Sequence, residues 1–428
     1  MIESGTVHID LSPKPGGRAG VVVLNARTNG IARMLASPEK RAKARRLIPL
    51  LYGLCPCAHL ASFDAARSRA MGLCDAERRA RTGALPERAV LLEAVVENLR
   101  VLVMDAGTLA GVRPDATMLR TIGRLRARLG TLIRHVAAAD PLRPEAIDAP
   151  LRAAAAETVS ALFEDALEAA GTMLFGRTPE QWLNETTSID ALEHWAVEFG
   201  DRLPVARLAR GFLMRPANFG RVSAPLLPGH NAGPVFADEL LYRMMHEPGF
   251  DLAPVWKGAT RLTGAIVRRL NEPLVAGLVA LRGVCAVTLL AARLTDTAAM
   301  LGALRASLGD ADTSSGMSPN GRWETPLSTY GFRAGEALCL TETARGLLAH
   351  AVSVNDAGEA VRLRITSPTE WQFSPDGPGQ QAATLLARDL NADATEEKPV
   401  DFDEFEALLR LALFGLDACV PLDFHRHA

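Results

Sequence analysis

Two short cysteine motifs near opposite ends of this 428-residue chain carry its most distinctive chemistry. The first, GLCPCAH, contains Cys55, Cys57 and His59, and the second, DACVPLDFH, contains Cys419 and His425. Thiolates are soft ligands that suit nickel, zinc and low-spin iron, and imidazole binds several of the same metals. Each motif alone is ambiguous, so metal binding at these five positions is a hypothesis in which the two motifs act together.

Simpler interpretations of these residues remain open. His59 and either Cys55 or Cys57 would form a zinc-like cluster, although the spacing is tighter than in usual zinc motifs. Cys57 is either an additional ligand or a core thiol, and both histidines are either ligands or hydrogen-bonded core residues. The other cysteines have no partner nearby in sequence, and we expect them to bind nothing: Cys74, Cys285 and Cys339.

The first motif resembles half of the metal cradle in the large subunit of nickel–iron hydrogenases. In that family the order is cysteine, glycine, any residue, cysteine, three residues and histidine. Cys55 and His59 keep this spacing, whereas Tyr52 stands where the first family cysteine belongs. The resemblance implies that Cys55 takes a metal-bridging position. In the family the equivalent of His59 lies close to the centre without binding it.

The second motif is similar to the other half of the same cradle. Asp417, Cys419 and His425 match the family pattern, whereas Leu422 stands where its second cysteine belongs. By resemblance, Cys419 takes the place of a terminal nickel ligand, and His425 contacts a nearby structural ion. A full nickel–iron centre needs four thiolates, so the matching positions cannot build one, even if Cys57 raises the count to three.

A third region supports the resemblance without cysteines. ETARGLLAH, at 342–350, is similar to the family's EAPRGxLxH segment, and SPTEWQFSPDG, at 367–377, is similar to its PTxWNxxP segment. In the family these segments surround the diatomic ligands on iron. The corresponding residues here are Arg345, Pro368 and Thr369, and the five donors of a guanidinium suit cyanide ligands.

The pattern as a whole is similar to that of HupK/HoxV hydrogenase maturation proteins, cytoplasmic relatives of the large subunit. A family RGxE motif, whose glutamate serves proton transfer, is degraded here to Asn-Gly-Ile-Ala at 29–32. The resemblance implies a mainly α (α+β) fold, a large-subunit-like helical bundle with small β elements. We expect a single domain over 1–428, with a hairpin at 6–24, a helical body at 37–308, a mobile loop at 309–326 and a β/helix segment at 327–428.

The resemblance also implies a function. We expect a non-catalytic scaffold that transiently holds the Fe(CN)2(CO) fragment without nickel and passes it to the hydrogenase large subunit. The implied partners are a HypC-type chaperone and the HypC–HypD complex. We also expect no C-terminal processing, since only three residues follow His425.

Two alternatives come from other functional classes. The first is a divergent active hydrogenase subunit, which the missing cysteines and Ala32 argue against. The second is a metal-free structural relative, similar to the quinone-side subunit of complex I. Retention of Cys55, Cys419 and Arg345 argues against that alternative, since a metal-free site has no chemical need for them.

Composition narrows the environment and the partners. A net charge of −2 argues against a general nucleic-acid surface, and basic runs at 40–46 and 120–134 are either solvated helix faces or docking patches for an acidic partner. Six irregularly spaced cysteines favour a reducing cytoplasm over a disulfide framework. The N-terminus lacks the apolar region of a secretory signal, and the most apolar stretch, 276–292, is too short to span a bilayer. We therefore expect a cytoplasmic protein without membrane contact.

Hydrophobic periodicity predicts the elements that position the motifs. A helix starting at Pro38 is expected to run toward Tyr52 and to carry Cys55 near its C-terminal end, with a second helix over 59–71. Long helical patterns follow at 86–109, 118–137 and 152–175, then two helices over 262–308 and one over 402–416. Strands are predicted at 6–11, 20–24, 347–355 and 361–366, and loops at 227–234, 309–326 and 391–399.

Overall fold

The computed structural model describes residues 5–27, 37–143, 147–309, 325–333 and 335–427. The degraded RGxE motif at 29–32 and most of the loop predicted at 309–326 lie outside these residues.

A small sheet joins the two ends of the chain. Strands β1 (Val7–Lys14) and β2 (Arg18–Asn25) form an antiparallel hairpin, and β7 (Leu422–Arg426) pairs in parallel with β1. Side chains of β1 alternate between buried and partly exposed, which is the period-two pattern of a sheet with one covered face. The sequence predicted the hairpin but not β7. Its parallel pairing puts the segment after Cys419 beside the N-terminal strand.

Helices make up most of the remaining chain. Their bounds are α1 Pro38–Ala42, α2 Ala44–Leu51, α3 Pro56–Ala70, α4 Asp75–Thr82, α5 Leu85–Arg100, α6 Ala106–Leu109, α7 Ala116–Ala138, α8 Ala149–Ala169, α9 Pro179–Glu185, α10 Ile189–Phe199, α11 Pro204–Leu213, α12 Pro234–His246, α13 Ala265–Arg269, α14 Pro273–Arg282, α15 Ala286–Gly309, α16 Pro368–Gln372, α17 Pro378–Asn391 and α18 Phe402–Leu413. Two π-helical turns, Val101–Asp105 and Ala170–Phe175, and a 3-10 turn, Phe414–Leu416, extend three of them.

The helical core is built around α5 and α15, which pack against each other and are buried on nearly every side. A helix that is apolar all round must be enclosed by other elements. In the described part of the chain, α15 is also long and apolar enough to cross a membrane, but 83% of its most apolar window is buried inside the fold. Burial of this extent is what the core helix of a globular protein requires.

A second sheet carries the region of Arg345. Strands β3 (Leu327–Arg333), β4 (Glu336–Thr343), β5 (Gly346–Val354) and β6 (Ala360–Thr366) form an antiparallel meander that packs on α3. The sequence predicted β5 and β6 but missed β3 and β4. Because β4 is buried on both faces, its residues lack the alternation that identifies a half-buried strand.

Three predicted helices differ from the structure. The helix predicted from Pro38 toward Tyr52 is divided at Lys43 into α1 and α2. Cys55 lies shortly after the end of α2, as predicted, and immediately before α3, which starts at Pro56 rather than at 59. Proline is favoured at the first helical position because its missing N–H has no intrahelical partner there anyway. The region 262–308 contains three helices rather than two, because Gly283, at φ 71°, ends α14 before α15 begins.

Candidate functional site

The first cysteine motif is held by the buried N-terminus of α3. The backbone N–H groups of Cys57 and Ala58 donate to the two carboxylate oxygens of Glu93 on α5, at 2.6 and 2.9 Å. The first N–H groups of a helix lack intrahelical partners, and the two oxygens of the Glu93 carboxyl group satisfy two of them. Glu93 therefore fixes the position of Cys55, which precedes the helix and whose N–H donates to the Tyr52 carbonyl at 3.2 Å.

Arg345 occupies the tip of the β4–β5 hairpin. The pairing of Thr343 with Gly346 leaves a two-residue turn, in which Thr343 Oγ1 accepts the Arg345 N–H at 3.2 Å. Gly346 has φ 130°, and a Cβ there would lie 2.6 Å from the Gly264 nitrogen, so this turn requires glycine. The turn places Arg345, which is only 5% exposed, in the cavity that Cys55 also lines.

The second motif is attached to the start of α16. The Thr369 hydroxyl donates to Cys419 Sγ at 3.1 Å, and the same oxygen accepts the Cys419 N–H at 3.0 Å. Thr369 is completely buried, and Pro368 before it is the first residue of the helix. These two bonds place Thr369 against Cys419, whereas Pro368 provides the first residue of the helix; the expected contact of both with diatomic ligands on iron stays a prediction.

The two motifs approach each other at their cysteines. Burial raises the pKa of the Cys55 thiol well above its usual value, and the charges of Glu93 and Cys419 raise it further, which places both cysteines in one electrostatic environment. A small cavity of about 10 Å³ beside Cys55 is lined by Leu54, Cys55, Val90, Glu93, Ala94, Glu97, Thr343, Ala344 and Arg345. Cys55 and Arg345 thus line one cavity, whereas Cys419 is not among its lining residues.

A buried ion network holds Arg345 in place. Its Nη2 lies 3.2 Å from Glu97 Oε2, and its Nε lies 3.2 Å from Asp417 Oδ2, which also binds Arg293 at 2.7 Å. Burial opposes the charge of Asp417, but Arg293 and Arg345 outweigh it and lower the pKa of this carboxyl. Among the described residues Arg345 Nε has no hydrogen-bond partner of good geometry, so its contact with Asp417 is an ion pair without a well-directed hydrogen bond.

A second arginine, which the sequence analysis missed, approaches the thiols from the hairpin side. Arg27 Nη1 lies 2.5 Å from Glu370 Oε1 and donates to Ser367 Oγ at 2.9 Å. Burial lowers its pKa, but Glu370, Cys419, Tyr52 and Cys55 together outweigh burial and raise it, so the guanidinium stays charged near all four. In the sequence Arg27 is an isolated arginine after β2, and no pattern links it to the cysteine motifs.

Tyr52, at the position of the missing first cysteine, closes one side of the site with an aromatic stack. Its ring lies parallel to that of His59, with centroids 3.7 Å apart. His59 Nδ1 in turn lies 3.0 Å from His350 Nε2. Burial lowers the pKa of both imidazoles, to about 3 for His350. His59 is thus a neutral, buried ring in contact with other rings.

The remaining predicted ligands lie in different surroundings. Cys57 is fully buried in the helical core, where burial, followed by Glu93, raises the pKa of its thiol well above the usual value. His425 lies on β7, with Nε2 2.8 Å from His8 Nδ1 and 3.2 Å from Asp423 Oδ2. All six cysteines are unpaired, as expected. Ligand roles for Cys55, Cys57, His59, Cys419 and His425 stay predictions.

The arrangement is suited to holding an anionic metal fragment. Two thiols supply soft ligands, and two charged guanidiniums stand beside them in a largely buried setting. Loss of a thiol proton must accompany metal binding, and the raised pKa of Cys55 makes that loss costly at neutral pH. The site therefore favours weaker and more reversible binding than four thiolates would give.

Comparison with known proteins defines the class. A chain of the NAD+-reducing NiFe hydrogenase in its H2-reduced state superposes with a TM-score of 0.54 at 12% identity, covering 95% of this chain and 94% of its own. No profile of a known protein family matches the sequence. The chain has the fold of NiFe hydrogenase large subunits, mainly α with small β elements, and the predicted fold class is confirmed.

The particular relatives are hydrogenase expression/formation proteins. HupK of Rhizobium leguminosarum bv. viciae is 27% identical over 99% of this chain and 97% of its own length. HoxV of Cupriavidus necator is 27% identical over 91% of this chain and 89% of its own. HupK of Azotobacter vinelandii is 37% identical over a shorter segment, 23% of this chain and 25% of its own. The resemblance to HupK/HoxV proteins inferred from the motifs is confirmed.

Proposed function

We propose that this protein acts in hydrogenase maturation as a non-catalytic scaffold, which transiently holds the Fe(CN)2(CO) fragment and passes it to the hydrogenase large subunit. The observation that supports the proposal is that Cys55 and Cys419 lie close enough to Arg345 and Arg27 for their charges to act on both arginines. The names of its relatives, hydrogenase expression/formation proteins, support the maturation role.

The chemistry of the cargo matches the donors that are present. Cyanide ligands concentrate negative charge on their nitrogen atoms, and the N–H donors of a guanidinium are suited to that charge. Arg345 is a buried guanidinium on which the charges of Cys55 and Cys419 act. Its ion pairs with Glu97 and Asp417 hold it in place, so its donors would keep their directions when cargo arrives.

Ligand number supports transfer rather than catalysis. Tyr52 and Leu422 take the places of two family thiolates, and hydrogen activation at a nickel–iron centre would need them. With Cys55 and Cys419 as the ligands, iron keeps fewer protein bonds, and no thiolate set is left to hold nickel. The fragment would therefore leave readily when the large subunit offers four thiolates.

The proposal includes partners of two kinds. A HypC-type chaperone, alone or in the HypC–HypD complex, would supply the iron fragment, and the hydrogenase large subunit would receive it. The large-subunit-like fold supports a partner from hydrogenase assembly, since a scaffold of the same shape as the acceptor presents the cargo in a matching setting.

Cysteine variants test the proposal. The protein would be isolated anaerobically from a hydrogenase-producing cell, and its iron and its cyanide and carbonyl infrared bands measured. We expect Cys55→Ala and Cys419→Ala to lose the bands while keeping the wild-type circular dichroism. Cys285→Ala is the control, since Cys285 is a thiol outside both motifs, more buried than Cys55 and Cys419, whose sulfur contacts the Thr288 hydroxyl. Bands of full intensity in both site variants would refute the metal-holding role.

A further inference from the structure

A second group of metal-binding side chains lies on the outer face of the small sheet. His8 belongs to β1, and Asp423 and His425 belong to β7, with His8 directly beside Asp423 in the parallel register. Val7, Ile9 and Leu11 of β1 point into the core, so the alternation of the strand sends His8 to the opposite face. These three side chains are 32%, 51% and 43% exposed.

The separations of their ligand atoms match a shared ion. His8 Nδ1 lies 2.8 Å from His425 Nε2, His425 Nε2 lies 3.2 Å from Asp423 Oδ2, and His8 Nδ1 lies 3.8 Å from the same oxygen. A circle through three atoms at these separations has a radius of about 1.9 Å, and metal–nitrogen and metal–oxygen bonds are about 2.0–2.2 Å long. An ion just outside the plane would reach all three without any movement of the backbone.

A contact behind His8 supports the same orientation. Thr6 Oγ1 lies 3.0 Å from His8 Nε2, on the far side of the ring from His425. If Thr6 accepts a hydrogen bond from Nε2–H, then Nδ1 carries the lone pair and faces the other two ligand atoms. A partner on the second nitrogen is the usual way in which proteins fix the tautomer of a metal-binding histidine.

We propose that His8, Asp423 and His425 bind a divalent transition-metal ion of the zinc, cobalt or ferrous iron class. Two imidazoles and one carboxylate are a poor set for Mg²⁺ or Ca²⁺, which require mostly oxygen ligands, but they suit borderline ions. Among the three, the family resemblance pointed only to His425. The other two come from strand pairing, and all three are separate from the thiol pocket.

This ion would fasten the C-terminal strand to the N-terminal hairpin. The Val7 N–H donates to the Pro421 carbonyl at 3.1 Å, and Pro421 is two residues after Cys419. A metal bridge between β1 and β7 would therefore hold the segment that carries one of the two site cysteines. The metal is predicted to slow local opening of β7, independently of whether the thiols hold an iron fragment.

Cobalt is the probe of choice because its spectrum distinguishes ligand types. The metal-stripped full chain would be titrated anaerobically with Co²⁺, and we expect one ion per chain with ligand-field bands but no thiolate-to-cobalt charge transfer. His8→Asn and Asp423→Asn should weaken this binding by at least about tenfold. His246→Asn, a histidine on α12 that packs on Tyr242, is the control and should bind as wild type.

Hydrogen exchange supplies a second measurement. Co²⁺ should increase protection of the amides in Leu422–Arg426 in the wild type and in His246→Asn, but not in His8→Asn. Asp423→Asn changes a half-exposed side chain, so it provides the same test if His8→Asn fails to fold. The proposal is overturned if Co²⁺ affinity in both site variants stays within twofold of wild type, or if all bound cobalt shows thiolate charge transfer.

Discussion

Substitution of Thr369 by valine tests the link between the two motifs without a change of shape. Valine keeps the branched outline of threonine but removes the hydroxyl that donates to Cys419 Sγ and accepts the Cys419 N–H. Thr369 is completely buried, so water does not replace the missing group on its side. Both effects fall on the segment that presents Cys419.

The magnitude follows from the two bonds. A donor that loses its partner costs about 1–3 kcal/mol, and we expect the low end, about 1 kcal/mol of unfolding free energy, because Cys419 is only partly buried. A hydrogen bond to a charged acceptor contributes about 1.5–3 kcal/mol. Once metal binding makes Cys419 a thiolate, Thr369→Val should therefore weaken cargo retention by roughly 10- to 150-fold.

Two assays separate these effects, with Thr369→Ser as the control that keeps the hydroxyl. Urea unfolding measures the stability change, and the intensity of cyanide and carbonyl bands after anaerobic dialysis measures retention. We expect Thr369→Ser to retain cargo as the wild type does. Equal retention by Thr369→Val and Thr369→Ser would show that this hydroxyl does not support the metal-holding cysteine.

Three further outcomes concern the charges around the site. Arg345→Met should lower the unfolding free energy by about 3–5 kcal/mol in urea, since Glu97 and Asp417 each lose a buried partner; a loss below about 0.5 kcal/mol would contradict the ion network. Burial raises the pKa of Glu93 to about 8 despite the N–H groups of Cys57 and Ala58, so the folded state binds more protons than the unfolded state between its ordinary value of 4.5 and 8. The unfolding free energy should therefore fall as the pH rises from 4.5 to 8, and Glu93→Gln should make its dependence on pH weaker. An unchanged dependence on pH in that variant would contradict the raised pKa of Glu93. Burial opposes the charge of Glu342, but Arg268 and His230 outweigh burial and lower the pKa of this carboxyl to about 2. The stabilisation by Glu342 is therefore complete above pH 4.5 and is lost as the pH falls toward 2. In urea melts at a series of pH values, Glu342→Gln should lose less unfolding free energy on acidification than the wild type, and an equal loss would contradict a stabilising role for these contacts.

The fold class could be predicted because long helices, with apolar residues three and four positions apart, and short distinctive motifs can both be recognised from neighbouring residues in the sequence. The cysteine spacing and ETARG pointed to Cys55, Cys419 and Arg345; Cys55 and Arg345 line one small cavity, and the charge of Cys419 acts on Cys55. Thr369 followed from the same resemblance, and its two bonds to Cys419 give it a physical role.

The elements that sequence analysis missed depend on tertiary contacts. The short strand β7 exists because β1 offers it an edge, and β4 lacks alternation because both of its faces are covered. Arg27 and Glu93 carry no motif, and their roles arise from partners such as Glu370 and the start of α3. Charge pairing across distant segments leaves no periodic trace in the sequence.

The most direct measurement of the central claim is the infrared spectrum and metal content of the wild-type protein, isolated anaerobically from cells that assemble a nickel–iron hydrogenase. We predict iron together with cyanide and carbonyl bands, and no stoichiometric nickel, with the bands decreasing when the acceptor large subunit is added. Stoichiometric nickel, or bound zinc without such bands, would contradict the proposal that this protein carries the iron fragment.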